Sequence, residues 1–197
     1  TALERTVLGG SLRAGRASGT AKGFGDEAGT RLHEGLITTF GIDGSDAGIL
    51  FGVVAVAALA LLIHRSTRAG WEPDRTTVVL GALAVVPVAL VLASGGLGFV
   101  PGLLIASPVA VAGLALGPGG DHRAARLVVI AVVALPLVRA FQYMGGAVPQ
   151  WGGRYVLLST FLLTVAGVVC LRWADPAVRR LVLGAAVAIT VFGLAWM

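Results

Sequence analysis

The chain has one cysteine, Cys170, and one lysine, Lys22. A single cysteine excludes an intrachain disulfide and the paired-cysteine motifs of zinc and thiol redox sites. Charged residues are also scarce, at 13% of the chain, against about 25% in soluble domains. The remainder is strongly apolar, with 56% hydrophobic residues and a mean hydropathy of +0.89. This composition favours an integral membrane protein over a soluble enzyme.

Six apolar stretches with almost no charge dominate the sequence. They cover residues 46–63, 77–93, 100–116, 127–143, 155–171 and 181–197. Each is close to the roughly 17–25 residues that a helix needs to cross a bilayer. No stretch has Asp or Glu in its interior, which argues against a proton-coupled carrier or a cation channel. The predicted fold class is all-α, a polytopic integral membrane protein with six transmembrane helices, in which residues 46–197 form the transmembrane domain.

Basic residues alternate between the loops that connect these stretches. Loops 64–76, 117–126 and 172–180 carry eight arginines, whereas loops 94–99 and 144–154 carry only Arg154. Short basic loops stay on the cytoplasmic side of a membrane. We therefore expect a multi-pass protein of the cell membrane in which the three arginine-rich loops are cytoplasmic. The N-terminal segment, residues 1–45, and the C-terminus would then be external.

The N-terminal segment has five basic residues and no long apolar run, so it does not resemble a signal peptide. Because such a tail does not cross a membrane readily, the simplest interpretation is that the chain is the C-terminal part of a longer protein. The alternative is an external N-terminus with a removed leader. Residues 26–40 are expected to form an amphipathic helix on the outer surface, and a plain connector is favoured over a substrate-binding loop. The expected apolar face is Leu32, Leu36, Ile37 and Phe40.

Polar and aromatic side chains are concentrated between the fourth and fifth stretches, near the predicted external face. The candidate residues for binding a substrate or a lipid phosphate are Arg139, Gln142, Tyr143, Gln150, Trp151, Arg154 and Tyr155. Arg139 lies about one turn inside the fourth stretch, where an unpaired guanidinium costs free energy. The planar fork of arginine matches phosphate, so the expected partner is a lipid phosphate, a polyprenyl phosphate or an acid from another segment. Snorkelling explains Arg139 equally well, and an aromatic belt is the alternative for Trp151 and Tyr155.

The Trp-Gly-Gly-Arg-Tyr segment at 151–155, which follows the Gly145-Gly146 pair, resembles a motif of bacterial polytopic glycosyltransferases of the GT-C superfamily. The Gly- and Pro-rich run at 95–102 is similar to the start of a late helix in such proteins. The resemblance covers the layout of roughly residues 46–171. It implies the membrane portion of a transferase that moves a sugar from a polyprenyl-phosphate donor to an external cell-envelope acceptor. The catalytic acid of that family has no matching motif here, so the catalytic residues stay unknown and the acid would lie outside this chain.

Two other function classes stay open: a non-catalytic membrane scaffold or assembly subunit, and a fragment of a lipid or solute transporter. No cofactor is expected, and a divalent metal has no visible site because His33, His64 and His122 are far apart and are not all predicted on one side. The expected partners are membrane lipid, a polyprenyl-phosphate sugar, and an upstream chain segment or partner subunit. Nucleic acid is not expected, since the arginines at the ends of the stretches are explained by membrane orientation.

Overall fold

The computed structural model describes residues 28–93, 101–119, 121–141 and 156–196. Within these ranges every regular element is helical and no strand occurs, so the all-α prediction is confirmed. The helices are α1 (Ala28–Phe40), α2 (Asp46–Arg65), α3 (Arg75–Ala93), α4 (Leu103–Ala106), α5 (Pro108–Leu116), α6 (His122–Phe141), α7 (Leu157–Cys170) and α8 (Pro176–Trp196). Short 3-10 turns follow α5 and α7, at Gly117–Gly119 and Leu171–Trp173.

Side-chain caps fix where several helices begin. The capping residues, each of which accepts a hydrogen bond from a backbone N–H two or three residues further on, are Ser45, Asp74, Asp121 and Asp175. Such caps satisfy N–H groups that have no partner within the helix. Because Asp121 precedes α6, Arg123 and Arg126 are helical and do not lie in the loop expected over 117–126. Likewise α2 reaches Arg65 and α8 begins at Pro176, which shortens the other two expected loops.

The third apolar stretch, expected as one helix, is broken into α4 and α5. Ser107 at the break has φ −129° and ψ 83°, outside the helical region. A proline disfavours the α conformation in the residue before it, and Pro108 begins α5. Pro87 and Pro136, by contrast, lie within the continuous helices α3 and α6. The hydroxyl groups of Ser107 and Thr164 are 3.0 Å apart, so the break is tied to α7 by a hydrogen bond.

Helix α5 lies at the centre of the bundle. Most of its residues are buried, including Val111 and Ala112, which have no exposed surface. Its closest neighbour is α7, because Gly113 rests against the carbonyl of Leu163 and Gly167 rests against the carbonyl of Val109. A Cβ at either glycine would collide with that carbonyl. Small residues that let two backbones approach closely are a principal packing device between helices in membranes.

The outer helices present apolar side chains to the surroundings. Exposed large hydrophobic residues on α3, α6 and α8 include Val78, Leu90, Val129, Leu137, Val187 and Leu194. By length and composition, α2 and residues 176–194 of α8 are able to cross a membrane.

Helix α1 occupies residues 28–40, close to the bounds expected from its pattern, but the face that it turns to the bundle differs. Leu32 is 67% exposed, whereas Arg31 is only 8% exposed. The reason is that α1 contacts α2 and α4 through its C-terminal half, where Ile37 and Thr38 are buried. Arg31 lies two turns before Thr38 on the same side of the helix, so it faces inward and Leu32 does not.

Candidate functional site

Of the predicted binding residues, Arg139 lies within the described ranges, in the last turn of α6. The other predicted residues lie outside them: Gln142, Tyr143, Gln150, Trp151, Arg154 and Tyr155. At about 1.5 Å per residue, Arg139 is about 25 Å along α6 from His122, so the two residues mark opposite ends of the bundle.

The end that carries Arg139, which we call the α1 end, comprises the C-terminus of α1, the starts of α2 and α4, and the C-terminus of α6. Helix α1 contacts all three of these other helices. The opposite end, which we call the groove end, comprises the C-termini of α2, α5 and α7 and the start of α6. Residues from each of these four segments line a single groove there.

Glycine backbone covers the carbonyl groups that end α1. The N–H of Gly102 donates a hydrogen bond of 2.8 Å to the carbonyl of Gly41. A Cβ at Gly102 would lie 2.7 Å from the carbonyl oxygens of both Ile37 and Thr38. Gly52 of α2 rests in the same way against the carbonyl of Phe40. The last carbonyls of a helix lack donors within it, so these contacts bind the C-terminus of α1 to the bundle.

Charged side chains at the α1 end form local contacts. His33 Nε2 and Asp46 Oδ1 are 2.6 Å apart and link α1 to the start of α2. The Asp43 carboxylate accepts hydrogen bonds from the N–H of Ser45 at 2.9 Å and from its hydroxyl at 2.6 Å. Both carboxylates therefore help to shape the α1–α2 connection.

No protein-family model, curated protein or solved structure matches the chain. The glycosyltransferase resemblance therefore depends on the sequence motifs alone and stays a prediction.

The three histidines fall into two places. His64 and His122 both line the groove. His33 is at the α1 end, where it contacts Asp46 at the start of α2, and at about 1.5 Å per residue His64 lies about 27 Å further along that helix. Across the residues that the structure describes, no three His, Cys, Asp or Glu side chains come together as metal ligands. The absence of a cofactor stays a prediction.

An apolar cavity of about 200 Å³ lies between α2, α3, α8 and the α4–α5 break. Its walls are aliphatic, with Leu59, Val88, Ile105 and Ile189 among them. Such a space fits hydrocarbon and has no polar group to orient a reacting molecule.

Sequence reasoning missed two features that carry charge. One is Arg31, a basic residue of the N-terminal segment that is buried in the structure. The other is the groove, which brings together His64, His122 and Arg172 from distant parts of the chain. For Arg31 a signal did exist, because Arg31 and Thr38 are seven residues apart and share a helix face. For the groove, the only sequence signal was that the segments around it were predicted to lie on the same side of the membrane.

Proposed function

We propose that the chain is a polytopic membrane unit whose six apolar segments all cross the bilayer. The support is the exterior of the bundle, where side chains such as Val78, Leu90 and Leu194 are more than half exposed. Contiguous apolar surface of this kind is rare on soluble monomers, and hydrocarbon tails would cover it in a membrane. A core helix of a soluble protein is mostly buried, yet only 39% of the apolar window of α2 and 17% of that of α8 are buried.

The shorter helices are compatible with this arrangement, because α5 is mostly buried and α7 exposes an apolar face that includes Phe161 and Val168. Helix α5 spans only Pro108–Leu116, and α7 spans Leu157–Cys170. Irregular backbone at membrane depth is tolerated where protein surrounds it, and the Ser107 break is bonded to Thr164 on α7. In this proposal the groove end faces the cytoplasm, because eight arginines lie in the helix ends and connecting segments there, and the α1 end faces outward.

Labelling tests this orientation directly. Cys170 is buried, so a Cys170→Ser background permits single reporter cysteines elsewhere. We expect Ala47→Cys, at the exposed start of α2, to react with a membrane-impermeant maleimide on intact cells. Ala69→Cys, in the exposed loop after α2, should react only after the membrane is opened. Reaction of both, or the reverse order, would contradict the proposal.

At the α1 end we propose a site for the phosphate of a polyprenyl-phosphate sugar, so that the chain acts as the membrane portion of a GT-C-type glycosyltransferase. The single observation that supports this site is the position of Arg139. It lies in the last turn of α6 and follows twelve uncharged residues, 127–138. A guanidinium near the end of an apolar membrane helix favours an anionic partner. Oriented cations stabilise the negative charge that develops on a leaving phosphate, which is the role that the resemblance implies for Arg139 and Arg154.

The site is tested by binding to the purified chain in phosphatidylcholine nanodiscs, with a polyprenyl phosphate as the probe and the matching polyprenol as its control. We expect the phosphate to bind and the polyprenol to bind weakly. Arg139→Ala and Arg154→Ala should each weaken binding of the phosphate and abolish sugar transfer in cells without lowering membrane abundance. Arg139→Lys keeps a cation near the C-terminus of α6 but loses the planar fork, so it separates phosphate recognition from a simple dipole effect.

Wild-type transfer in both alanine variants, or equal binding of phosphate and alcohol, would contradict the site. A stably co-purified protein subunit without bound polyprenyl phosphate would favour the scaffold instead. Solute flux in proteoliposomes made from the chain alone would favour the transporter.

A further inference from the structure

The groove end carries a second arrangement of charged side chains, separate from Arg139. The groove has a volume of about 1000 Å³ and is formed by the last turn of α2, the turn between α5 and α6, and the 3-10 turn after α7. The polar and charged side chains that line it are His64, Thr67, Asp121, His122 and Arg172. A volume of this size is ample for a phosphorylated headgroup or a small organic phosphate.

Arg172 supplies a permanent positive charge to the groove. Its guanidinium carbon lies 4.8 Å from the centre of the Trp173 ring, which supports the planar group from one side. Arg172 takes part neither in the His33–Asp46 ion pair nor in the Arg65–Asp74 ion pair. Arg172 is exposed, so an oxyanion from solution is able to reach its guanidinium, whose planar fork of donors matches phosphate.

Two of the remaining polar side chains are already engaged. The Asp121 carboxylate accepts the N–H of Arg123 at 2.7 Å and caps α6. The Thr67 hydroxyl donates to the carbonyl of His64 at 2.8 Å. The side chains left to bind a ligand are therefore Arg172 and the imidazoles of His64 and His122. All three are able to donate hydrogen bonds to an oxyanion.

The surrounding charge favours an anion. Each of the three segments 64–76, 117–126 and 172–180 contributes lining residues to the groove, and together they contain eight arginines against four acids. Arg172 is the arginine among the lining residues. A basic surface of this kind raises the local concentration of anions and speeds their capture. Among common anions, phosphate presents several oxygens that match a guanidinium fork and flanking imidazoles.

We propose that this groove binds a phosphate group through Arg172, His64 and His122. The ligand is a phosphate ester, either the headgroup of a membrane lipid or a water-soluble phosphate that enters from the arginine-rich side. Leu116 and Pro118 line the same groove and offer an apolar wall to the organic part of either ligand. The site is independent of the proposed function, because it lies at the opposite end of the bundle from Arg139.

The experiment uses the purified full chain in phosphatidylcholine nanodiscs. Two probes are compared: phosphatidate added to the nanodisc, followed by native mass spectrometry, and inorganic phosphate in solution, followed by phosphorus NMR. Arg172→Gln removes one positive charge inside the groove. Arg68→Gln is the matched control, because it removes the same charge from an exposed position at the same end that does not line the groove.

We expect Arg172→Gln to weaken binding about tenfold or more, as loss of a charged hydrogen bond does, while Arg68→Gln changes it by less than about threefold. The His64→Gln/His122→Gln double variant should also weaken it. Retention of phosphatidate that inorganic phosphate cannot compete away identifies the lipid source, and competition identifies the soluble source. Equal losses in Arg172→Gln and Arg68→Gln, or no binding of either probe, would overturn the proposal. If Arg172→Gln fails to fold, binding of the same probes is measured with Arg172→Lys and with the histidine double variant instead.

Discussion

The hydroxyl of Ser159 on α7 donates a hydrogen bond of 2.9 Å to the backbone carbonyl of Ala131 on α6. Ser159 is almost fully buried, at 1% exposure. Serines within apolar helices usually bond to their own preceding turn, as Thr160 does with Val156. The Ser159 hydroxyl instead bonds to a different helix. Its acceptor, Ala131, is one residue before Val132, and the carbonyl of Val132 has no helical donor because Pro136 has no N–H.

Ser159→Ala should therefore destabilise the α6–α7 pair. Hydrogen bonds between membrane helices contribute about 0.6 kcal/mol on average and up to about 1.7 kcal/mol, and we expect a loss in this range. The measurement is the free energy of unfolding in mixed micelles titrated with SDS. Thr190→Ala is the control, because the Thr190 hydroxyl is exposed and bonds within its own helix to Ala186. Equal effects of the two substitutions would show that the contact to Ala131 contributes nothing.

Gly167 and Gly113 set the distance between α5 and α7. Because a Cβ at Gly167 would collide with the carbonyl of Val109, Gly167→Ala must push the two backbones apart. Overpacking of this kind costs about 1–3 kcal/mol, and we expect a loss of unfolding free energy within that range. The cost should be visible as a lower melting temperature of the purified chain in detergent.

Gly184→Ala is the matched control for this prediction. Gly184 lies in α8 and has nothing within 4 Å of the place where a Cβ would stand. Alanine favours a helix over glycine by about 0.5–1 kcal/mol, so stability should stay the same or rise. A loss in Gly184→Ala as large as that in Gly167→Ala would indicate a general sensitivity to alanine and would contradict the role of close packing.

The helices themselves were largely predictable from the sequence, because uncharged apolar runs between arginine-bearing segments leave the backbone few alternatives. The run at 77–93, for example, becomes α3 at Arg75–Ala93. The break at Ser107 was not foreseen, since prolines within apolar helices often stay in continuous helix, as Pro87 does. Which of two prolines interrupts a helix depends on its neighbours, here Thr164, and those are fixed only by the tertiary fold.

The sites were less predictable. The position of Arg139 near the end of α6 followed from the length of one apolar run, a local property. The groove depends on contacts between segments more than 50 residues apart, such as those of His64 and His122. Positive charge on alternate loops predicted only that these segments share one side of a membrane. It held no information on which side chains meet, because that depends on how the helices pack.

Asp74 makes the stability of the chain dependent on pH. Hydrogen bonds from the N–H and the hydroxyl of Thr77, with a smaller attraction from Arg65, lower the pKa of Asp74 below its ordinary value of 3.8. A lowered pKa in the folded state means that the stabilisation is present above pH 3.8 and is lost as the pH falls through the folded-state pKa. Asp74→Asn should therefore melt at a lower temperature than the wild type at pH 7.

The melting temperatures of the two proteins should converge as the pH falls below 3.8 and through the folded-state pKa of Asp74, because the wild-type carboxylate then also becomes neutral. Thr77→Ser keeps both donors and serves as the control, with a pH profile like that of the wild type. A difference between Asp74→Asn and wild type that stayed constant over this range would contradict a role for the carboxylate charge.

Trp71, in the loop between α2 and α3, has a buried indole N–H that finds no acceptor in the part of the chain that the structure describes. A buried donor without a partner costs about 1–3 kcal/mol of stability, so removal of the N–H alone should stabilise the fold. Site-specific replacement of Trp71 by β-(3-benzothienyl)alanine, which has sulfur in place of N–H and nearly the same shape, should raise the melting temperature. Trp71→Leu removes the N–H together with ring packing and should lower it, because the ring packs against the apolar core. A lower melting temperature for the benzothienyl variant would show that the N–H has a partner and is needed.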